Sequence, residues 1–505
     1  MSHSPTAEQE AILAAARGKD NLMIKALAGV GKTTTLEMLA KVLPVQPSLA
    51  LAFNTRIKKE LEPRLPSHFS VKTFNALGHR AWSQKLGGMN LTLAETKLGK
   101  LVSESLKNNA DRELWADVRH LVTAAMNAGL VPRGLGEGLI EDTEDNWFEL
   151  AEEKGISLEA TEYAPRVLRE SVRQAFGGVI TYDDQIYCSA LLGGNFPKFP
   201  LIMVDEAQDL SPLNHLQLQK TGTKDARLIV VGDPKQAIYA FRGADSLSMD
   251  NLRTLRPNWQ DLPLTVTFRC PKAIVARVRE HAPMYKAADS APAGVIDNWK
   301  TWNVEDIPMG AAVLCRNNAP LLSLAFKLLA AHIAPFFLGR DIGKNLIGLS
   351  KKILPDNAMP TLNCIQAVNS WADNEVAMAI ANGKLNHADG LNDRRDSLIA
   401  VLTNGPKNAG ELRNKLEEIF AKDRGSVTLS SGHRCKGLEW KEVVHLDPWR
   451  VPSKNAKTEK EIEQENNVRY VIETRTKHRL ILASMSGLEK GESKEGNMLT
   501  RGTEG

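Results

Sequence analysis

Cysteine is scarce in the 505-residue chain, and Cys188, Cys270, Cys315, Cys364 and Cys435 lie too far apart to form any C-x-x-C pair. That spacing argues against a disulfide framework and against a sequence-local zinc site, and leaves reduced thiols as the reading. No run of about 18 apolar residues occurs, so nothing reads as a membrane-spanning helix. The opening MSHSPTAEQE lacks the basic-then-apolar layout of a secretory signal. An intracellular protein is therefore expected, cytoplasmic if encoded by a bacterium or phage, with no membrane partner. A charge excess is missing as well: 64 basic residues stand against 60 acidic ones. Attraction for nucleic acid would have to come from a local patch.

What the chain does have is 43% hydrophobic content, enough for more than one core, and its length sets a prior of roughly three domains. Short apolar runs suited to buried parallel strands recur at residues 22–27, 49–53, 199–204, 227–232, 262–267, 311–315, 426–430, 442–446 and 479–483. Helical or loop stretches separate them, which predicts an α/β protein with two parallel-sheet units. The first is expected over 1–87 and 179–268, interrupted by a charged, helix-prone insertion at 88–178. The second is expected over 269–350 and 425–485, interrupted by a shorter insertion at 351–424. The segment 486–505 has little to bury and is expected to be mobile.

The strongest local signal is Ala26-Leu-Ala-Gly-Val-Gly-Lys-Thr33, between the strand-like LMIKA and the helical TTLEMLAKVL. It fits a P-loop, with Ala26 where the first glycine usually stands. Small residues (Ala28, Gly29, Val30, Gly31) let backbone amides surround phosphate oxygens at a helix N-terminus, where Thr34 also lies. Lys32 can reach the β- and γ-phosphates, and the Thr33 hydroxyl can ligate magnesium. The apolar Leu201-Ile-Met-Val ends in Asp205-Glu206. Asp205 can hold the magnesium ion, and Glu206 can orient or deprotonate the attacking water. Together the two segments predict an ATP hydrolase. In Gly232-Asp-Pro-Lys-Gln236, Gln236 is either a γ-phosphate sensor or a polar turn residue after Asp-Pro.

ALAGVGKT, DEAQD, GDPKQAIYAFRGAD, TFRCPKAIV, HRCKGLEW and YVIETRTKHRL stand in one order, and in that order the chain resembles superfamily 1A DNA helicases of the UvrD/Rep type. LAFNTRIKKEL followed by VKTFNALGHR is similar to the F-box DNA helicase branch and its bacterial or phage relatives. The resemblance implies two RecA-like units with mostly helical insertions and a cleft that hydrolyses ATP. It implies that Gln9 reads the adenine edge, that Phe268 stacks on adenine, and that Glu439 accepts from the ribose. Arg269 and Arg475 would reach the γ-phosphate from the second unit as arginine fingers.

The resemblance also implies a single-stranded DNA track, contacted by hydroxyl, amide, basic and aromatic groups. Candidates are Phe53, Asn54, Thr55, Thr73, Phe74, Tyr239, Phe241, Arg242 and His433; Asn75 stands where a histidine is frequent. Each aromatic, taken singly, reads equally as core. The implied activity is 3′ to 5′ translocation and unwinding, with single-stranded DNA and single-strand/duplex junctions as partners, a protein loading partner, and repair or recombination as the setting. Because the chain ends soon after TRTK, no nuclease domain is expected. Two alternatives stand beside this reading: a translocase that separates duplex poorly, and a nucleotide-dependent switch or effector subunit. RNA as the track is a further alternative.

Overall fold

The computed structural model describes residues 4–106, 111–238, 247–381, 385–421 and 424–489. The chain divides into two compact units. The first comprises residues up to Arg269 together with Ala282–Asp289 and Met378–His387, and the second takes Cys270–His281, Ser290–Ala377 and the described residues from Ala388 onward.

The first unit is built on strands β1 (Asn21–Ala26), β2 (Ser48–Ala52), β3 (Phe69–Thr73), β6 (Phe199–Val204), β7 (Gly222–Gly232) and β8 (Trp259–Leu264). The short pairs β4 (Thr92–Leu93) with β5 (Val179–Ile180), and β9 (Val266–Thr267) with β10 (Lys286–Ala287), stand apart from it. The six main strands run in the order β3-β2-β6-β7-β1-β8, every neighbouring pair parallel. Continuous apolar runs make the central strands, since both faces of a parallel sheet are covered: all of β2 is buried, and so is β1 except Lys25. The edges read differently. Buried and half-buried residues alternate in β3, and Pro263 is tolerated in β8 because an edge strand has a free side. From β1 the chain crosses β7 and β6 to reach β2, which opens a crevice at the carboxyl ends of the strands.

The expected helical insertion forms Lys97–Ser105, Trp115–Ala128, Glu144–Lys154 and Ala164–Phe176. These helices share a core with Trp82 and Tyr187 from the helices Phe74–Lys85 and Tyr182–Leu191. A fully buried ion pair stitches the insertion to the unit: Lys97 Nζ lies 2.8 Å from Asp184 Oδ2, with 1% of either side chain exposed. The ammonium also donates to the carbonyls of Ser171 at 2.8 Å and Val179 at 3.0 Å, so its buried protons are spent on acceptors.

In the second unit β11 (Val295–Trp299), β12 (Ala312–Cys315), β13 (Pro335–Phe337), β14 (Val427–Ser431), β15 (Trp440–Leu446) and β16 (Thr476–Ala483) form another parallel sheet. Its order is β11-β16-β15-β12-β14-β13. The region 351–424, read from sequence as an interruption, holds the helices Thr361–Ala381, Leu385–Leu402 and Ala409–Ala421. Its Val368, Leu398, Leu412, Leu416 and Phe420 are buried with Val313 and Leu429 of the sheet, so these helices share the second unit's core. The nine apolar runs coincide with strands, 262–267 being split between the end of β8 and β9. The five cysteines are free and buried, and among the described residues no helix is long and apolar enough to cross a membrane.

Candidate functional site

The loop between β1 and the helix Lys32–Val42 has the shape that its small residues permit. Gly29 and Gly31 take left-handed φ values of 68° and 83°, a region glycine enters at little cost. A Cβ on Gly29 would lie 2.5 Å from Arg269 Cβ and 2.8 Å from Thr267 Oγ1, so a side chain at Gly29 is excluded on space as well as on conformation. Ala26 pairs with Leu264 at the end of β1, and its side chain is buried like those of Ala28 and Val30; these three can serve a ligand through backbone alone. Thr33 is half-buried and Thr34 exposed at the start of the helix.

Lys32 reaches across the sheet end to Glu206, its Nζ 2.9 Å and 3.0 Å from the two carboxylate oxygens. Burial alone would lower the Lys32 pKa, but Glu206, Asp205 and Asp233 together hold it above the ordinary lysine range. Asp205, 4% exposed at the mouth of β6, is pushed up to about 7 by burial and then by Glu206, against the pull of Lys32. Asp233, at the mouth of β7, is likewise raised by burial. Glu206 sits at φ 53°, a left-handed conformation that is rare outside glycine and clusters at functional sites. It aims the carboxylate back at the P-loop.

Two residues that the sequence reading passed over join these acids to Gln236. Gln208 Nε2 donates to Glu206 at 2.6 Å, and its Oε1 accepts from the Asp233 backbone N–H at 2.9 Å. Gln236 Nε2 then donates to Asp233 at 2.6 Å. One network therefore runs from Lys32 through Glu206, Gln208 and Asp233 to Gln236. The DEAQD and GDPKQ patterns carried the signal for both, in the polar residues that end adjacent parallel strands.

Behind the P-loop, Gln9 is buried and donates to Thr35 Oγ1 at 3.0 Å while its Oε1 accepts from Thr6 N–H, closing a capping box on the helix Ala7–Ala16. Tyr285, also unforeseen, is wholly buried and donates to the Ala28 carbonyl at 2.6 Å. The Phe268 N–H donates to the Gly29 carbonyl at 2.9 Å, and the ring is 58% exposed. A core phenylalanine is thereby ruled out. Arg269, expected from the second unit, instead closes the first and packs on Gly29.

In the second unit, Glu439 is exposed and ion-paired with Lys477. Arg475 is only 1% exposed; it donates to the carbonyls of Val471 at 2.9 Å and Leu438 at 3.2 Å, and to Thr474 Oγ1 at 3.3 Å. It thus ties the TRTK segment to KGLEW inside its own unit.

Of the residues expected along a nucleic-acid track, Asn54 and Thr73 cap the helices that follow β2 and β3, accepting from the N–H of Ile57 at 2.9 Å and of Ala76 at 3.1 Å. Thr55 is exposed, and Phe53 and His433 are half-buried. Phe74 corrects its assignment: it is 4% exposed and packs in the sheet core with Leu49, Ile202 and Leu77, because it starts the helix on the buried face that Leu77, Gly78 and Ala81 continue. Asn75 donates to the Tyr182 carbonyl at 2.8 Å. Tyr239, Phe241 and Arg242 lie outside the described residues.

Two family models match the chain. The UvrD/REP helicase N-terminal domain matches residues 6–256, and the UvrD-like helicase C-terminal domain matches residues 383–487. The chain is similar to F-box DNA helicase protein 1 of Schizosaccharomyces pombe, 25% identical across 91% of this chain and 55% of that protein. It is 23% identical to F-box DNA helicase 1 of Gallus gallus across 91% of this chain and 47% of that one. ATP-dependent DNA helicase PcrA of Leuconostoc citreum is 26% identical over 50% of this chain and 36% of its own length. The chain thus spans about half, or less, of the length of these relatives. With a loop turned by Gly29 and Gly31 after β1, an acidic pair at the end of β6 in the same sheet and both domain signatures in order, the chain belongs to the UvrD/Rep family of superfamily 1 helicases.

Proposed function

We propose that this chain is an ATP-driven DNA motor that translocates 3′ to 5′ along single-stranded DNA and unwinds duplex at junctions. The observation that carries the reading is the unbroken hydrogen-bond network from Lys32 through Glu206, Gln208 and Asp233 to Gln236. Such a network senses the state of one bound phosphate at several strand ends at once. The left-handed glycine loop and the buried oxygen donors of Asp205 and Asp233 beside Lys32 fit a magnesium nucleotide. The backbone of Ala28–Lys32 would hold the phosphates, Lys32 would pair with them, and Thr33 and Asp205 would hold the magnesium ion. When bound, that ion neutralises phosphate charge. Glu206 orients the attacking water and accepts its proton. Gln9 and Phe268 serve the adenine, Glu439 the ribose. Arg269 and Arg475 stabilise transition-state charge, Arg475 by exchanging its carbonyl partners for phosphate.

For the track, Asn54, Thr55, Thr73 and His433 supply polar contacts and Phe53 a stacking face. The Thr73 hydroxyl accepts within its cap and keeps a proton to donate to phosphate. The names of the relatives support DNA as the polymer and ATP as the fuel.

The test is steady-state ATP hydrolysis with and without oligo-dT. Strong stimulation by DNA, abolished by Lys32→Ala and cut about 10²- to 10⁴-fold by Glu206→Gln, is the expected result. Hydrolysis indifferent to DNA would overturn the motor and leave a nucleotide switch. The packing of the 351–424 helices into the second unit's core favours a second reading, a translocase that separates duplex poorly. Strand displacement on 3′-tailed duplexes distinguishes the two.

A further inference from the structure

We propose that Trp449, with Arg450 and Lys454, forms a base-stacking platform for single-stranded nucleic acid on the second unit; this contact rests on the motor reading and extends its track. Where β15 ends, Asp447 turns the chain at φ 49°. That left-handed turn is held firmly: the buried Asp447 carboxylate accepts from Ser484 Oγ, Met485 N–H and Arg450 Nε, each at 2.9 Å. Farther along, the Ser453 N–H donates at 3.1 Å to Glu465, which is paired with Arg316 at 2.8 Å. Between these two anchors the short helical turn Pro448–Arg450 leaves Trp449 57% exposed.

The ring is not bare of partners, and their chemistry names the ligand. The Arg450 guanidinium lies 4.6 Å from the ring centroid and the Lys454 ammonium 6.0 Å from it, both within cation–π range. An aromatic face takes a base, and adjacent cations take the flanking phosphates. Position agrees. β14 and β15 both pair in parallel with β12, so the segment after β15 leaves the sheet at the same end as the segment after β14, which carries His433. Because the turn is fixed before any strand arrives, little ordering cost falls on binding. An unpaired strand is the occupant, since stacked duplex bases offer no face to the ring.

The experiment measures anisotropy of labelled oligo-dT, and of a strand of equal length built of abasic sites, at fixed salt with wild type, Trp449→Ala, Trp449→Phe and Trp449→Leu. Alanine and leucine are expected to weaken oligo-dT binding about 5- to 150-fold, with phenylalanine retaining most of it. All four proteins should bind the abasic strand alike. Circular dichroism melts verify folding, and leucine keeps the apolar bulk should alanine disturb the turn. Equal binding of oligo-dT by wild type, alanine and leucine overturns the platform, as does an equal loss on both strands. If wild type itself ignores oligo-dT, the motor reading falls first and this contact with it.

Discussion

Lys97 and Asp184 face each other at 2.8 Å with 1% of either side chain exposed, joining the helical insertion to the helix Tyr182–Leu191 of the sheet unit. Removing one partner strands the other in a dry core. Lys97→Met should therefore cost about 3–5 kcal/mol, read as a lowered melting temperature. Adding Asp184→Asn should recover most of the loss, because a neutral amide no longer needs the ammonium. A double variant as unstable as the single would show that packing, not charge, holds the joint.

Asp205 gives the pH prediction. Its carboxyl is raised from 3.8 to about 7 by burial and Glu206. Between those values the folded chain keeps a proton that the unfolded chain has released, so this group lowers stability progressively as pH rises from about 4 to about 7, and by a constant amount above that. Asp205→Asn should accordingly gain on wild type through that window and then level off. Melting temperatures of both proteins from pH 4 to 9 check it; a difference independent of pH contradicts the raised carboxyl.

Gly29 and Gly87 have nearly the same left-handed φ, 68° and 70°, but only Gly29 has atoms where a Cβ would go. Alanine at Gly87 should cost about 1 kcal/mol of backbone strain. Alanine at Gly29 should cost more, through displacement of Arg269 and Thr267, and should abolish binding of a fluorescent ADP analogue that Gly87→Ala retains.

Tyr285→Phe removes the hydroxyl that donates to Ala28 at 2.6 Å. The expected loss is about 1–2 kcal/mol of stability, with a severalfold rise in nucleotide Kd as the P-loop backbone loosens. Unchanged affinity with lowered stability would place Tyr285 in structural support alone.

The central strands were legible because burial on both faces writes itself as an unbroken apolar run, as in LMIKA and LIVV. The strands β3, β11 and β13 were not: FSVKT alternates, VIDNW is polar at its middle, and PFF is three residues long. All three lie at sheet edges or beside them, where one-sided burial or brevity erases the run. The P-loop and Asp205-Glu206 were readable because their chemistry is local. Tyr285 was not, since its bond to Ala28 spans 257 residues and one tyrosine carries no pattern. Phe74 was misread for the converse reason: an aromatic next to polar strand-end residues looks the same whether it faces solvent or core. Trp449 went unmarked, because its cations assemble only when the chain turns at Asp447.

The strand order β3-β2-β6-β7-β1-β8 has a consequence for synthesis. β1 carries the glycine loop, yet its two sheet neighbours, β7 and β8, begin at Gly222 and Trp259. At ordinary elongation rates about 10 to 40 seconds pass between the emergence of β1 and that of β7. Throughout that interval β2 and β3 can pair with each other, but the largely buried β1 waits with both edges open, a template for aggregation. The nascent chain is thus expected to lean on chaperones, and the sheet around the glycine loop can be completed only once Leu264 has emerged.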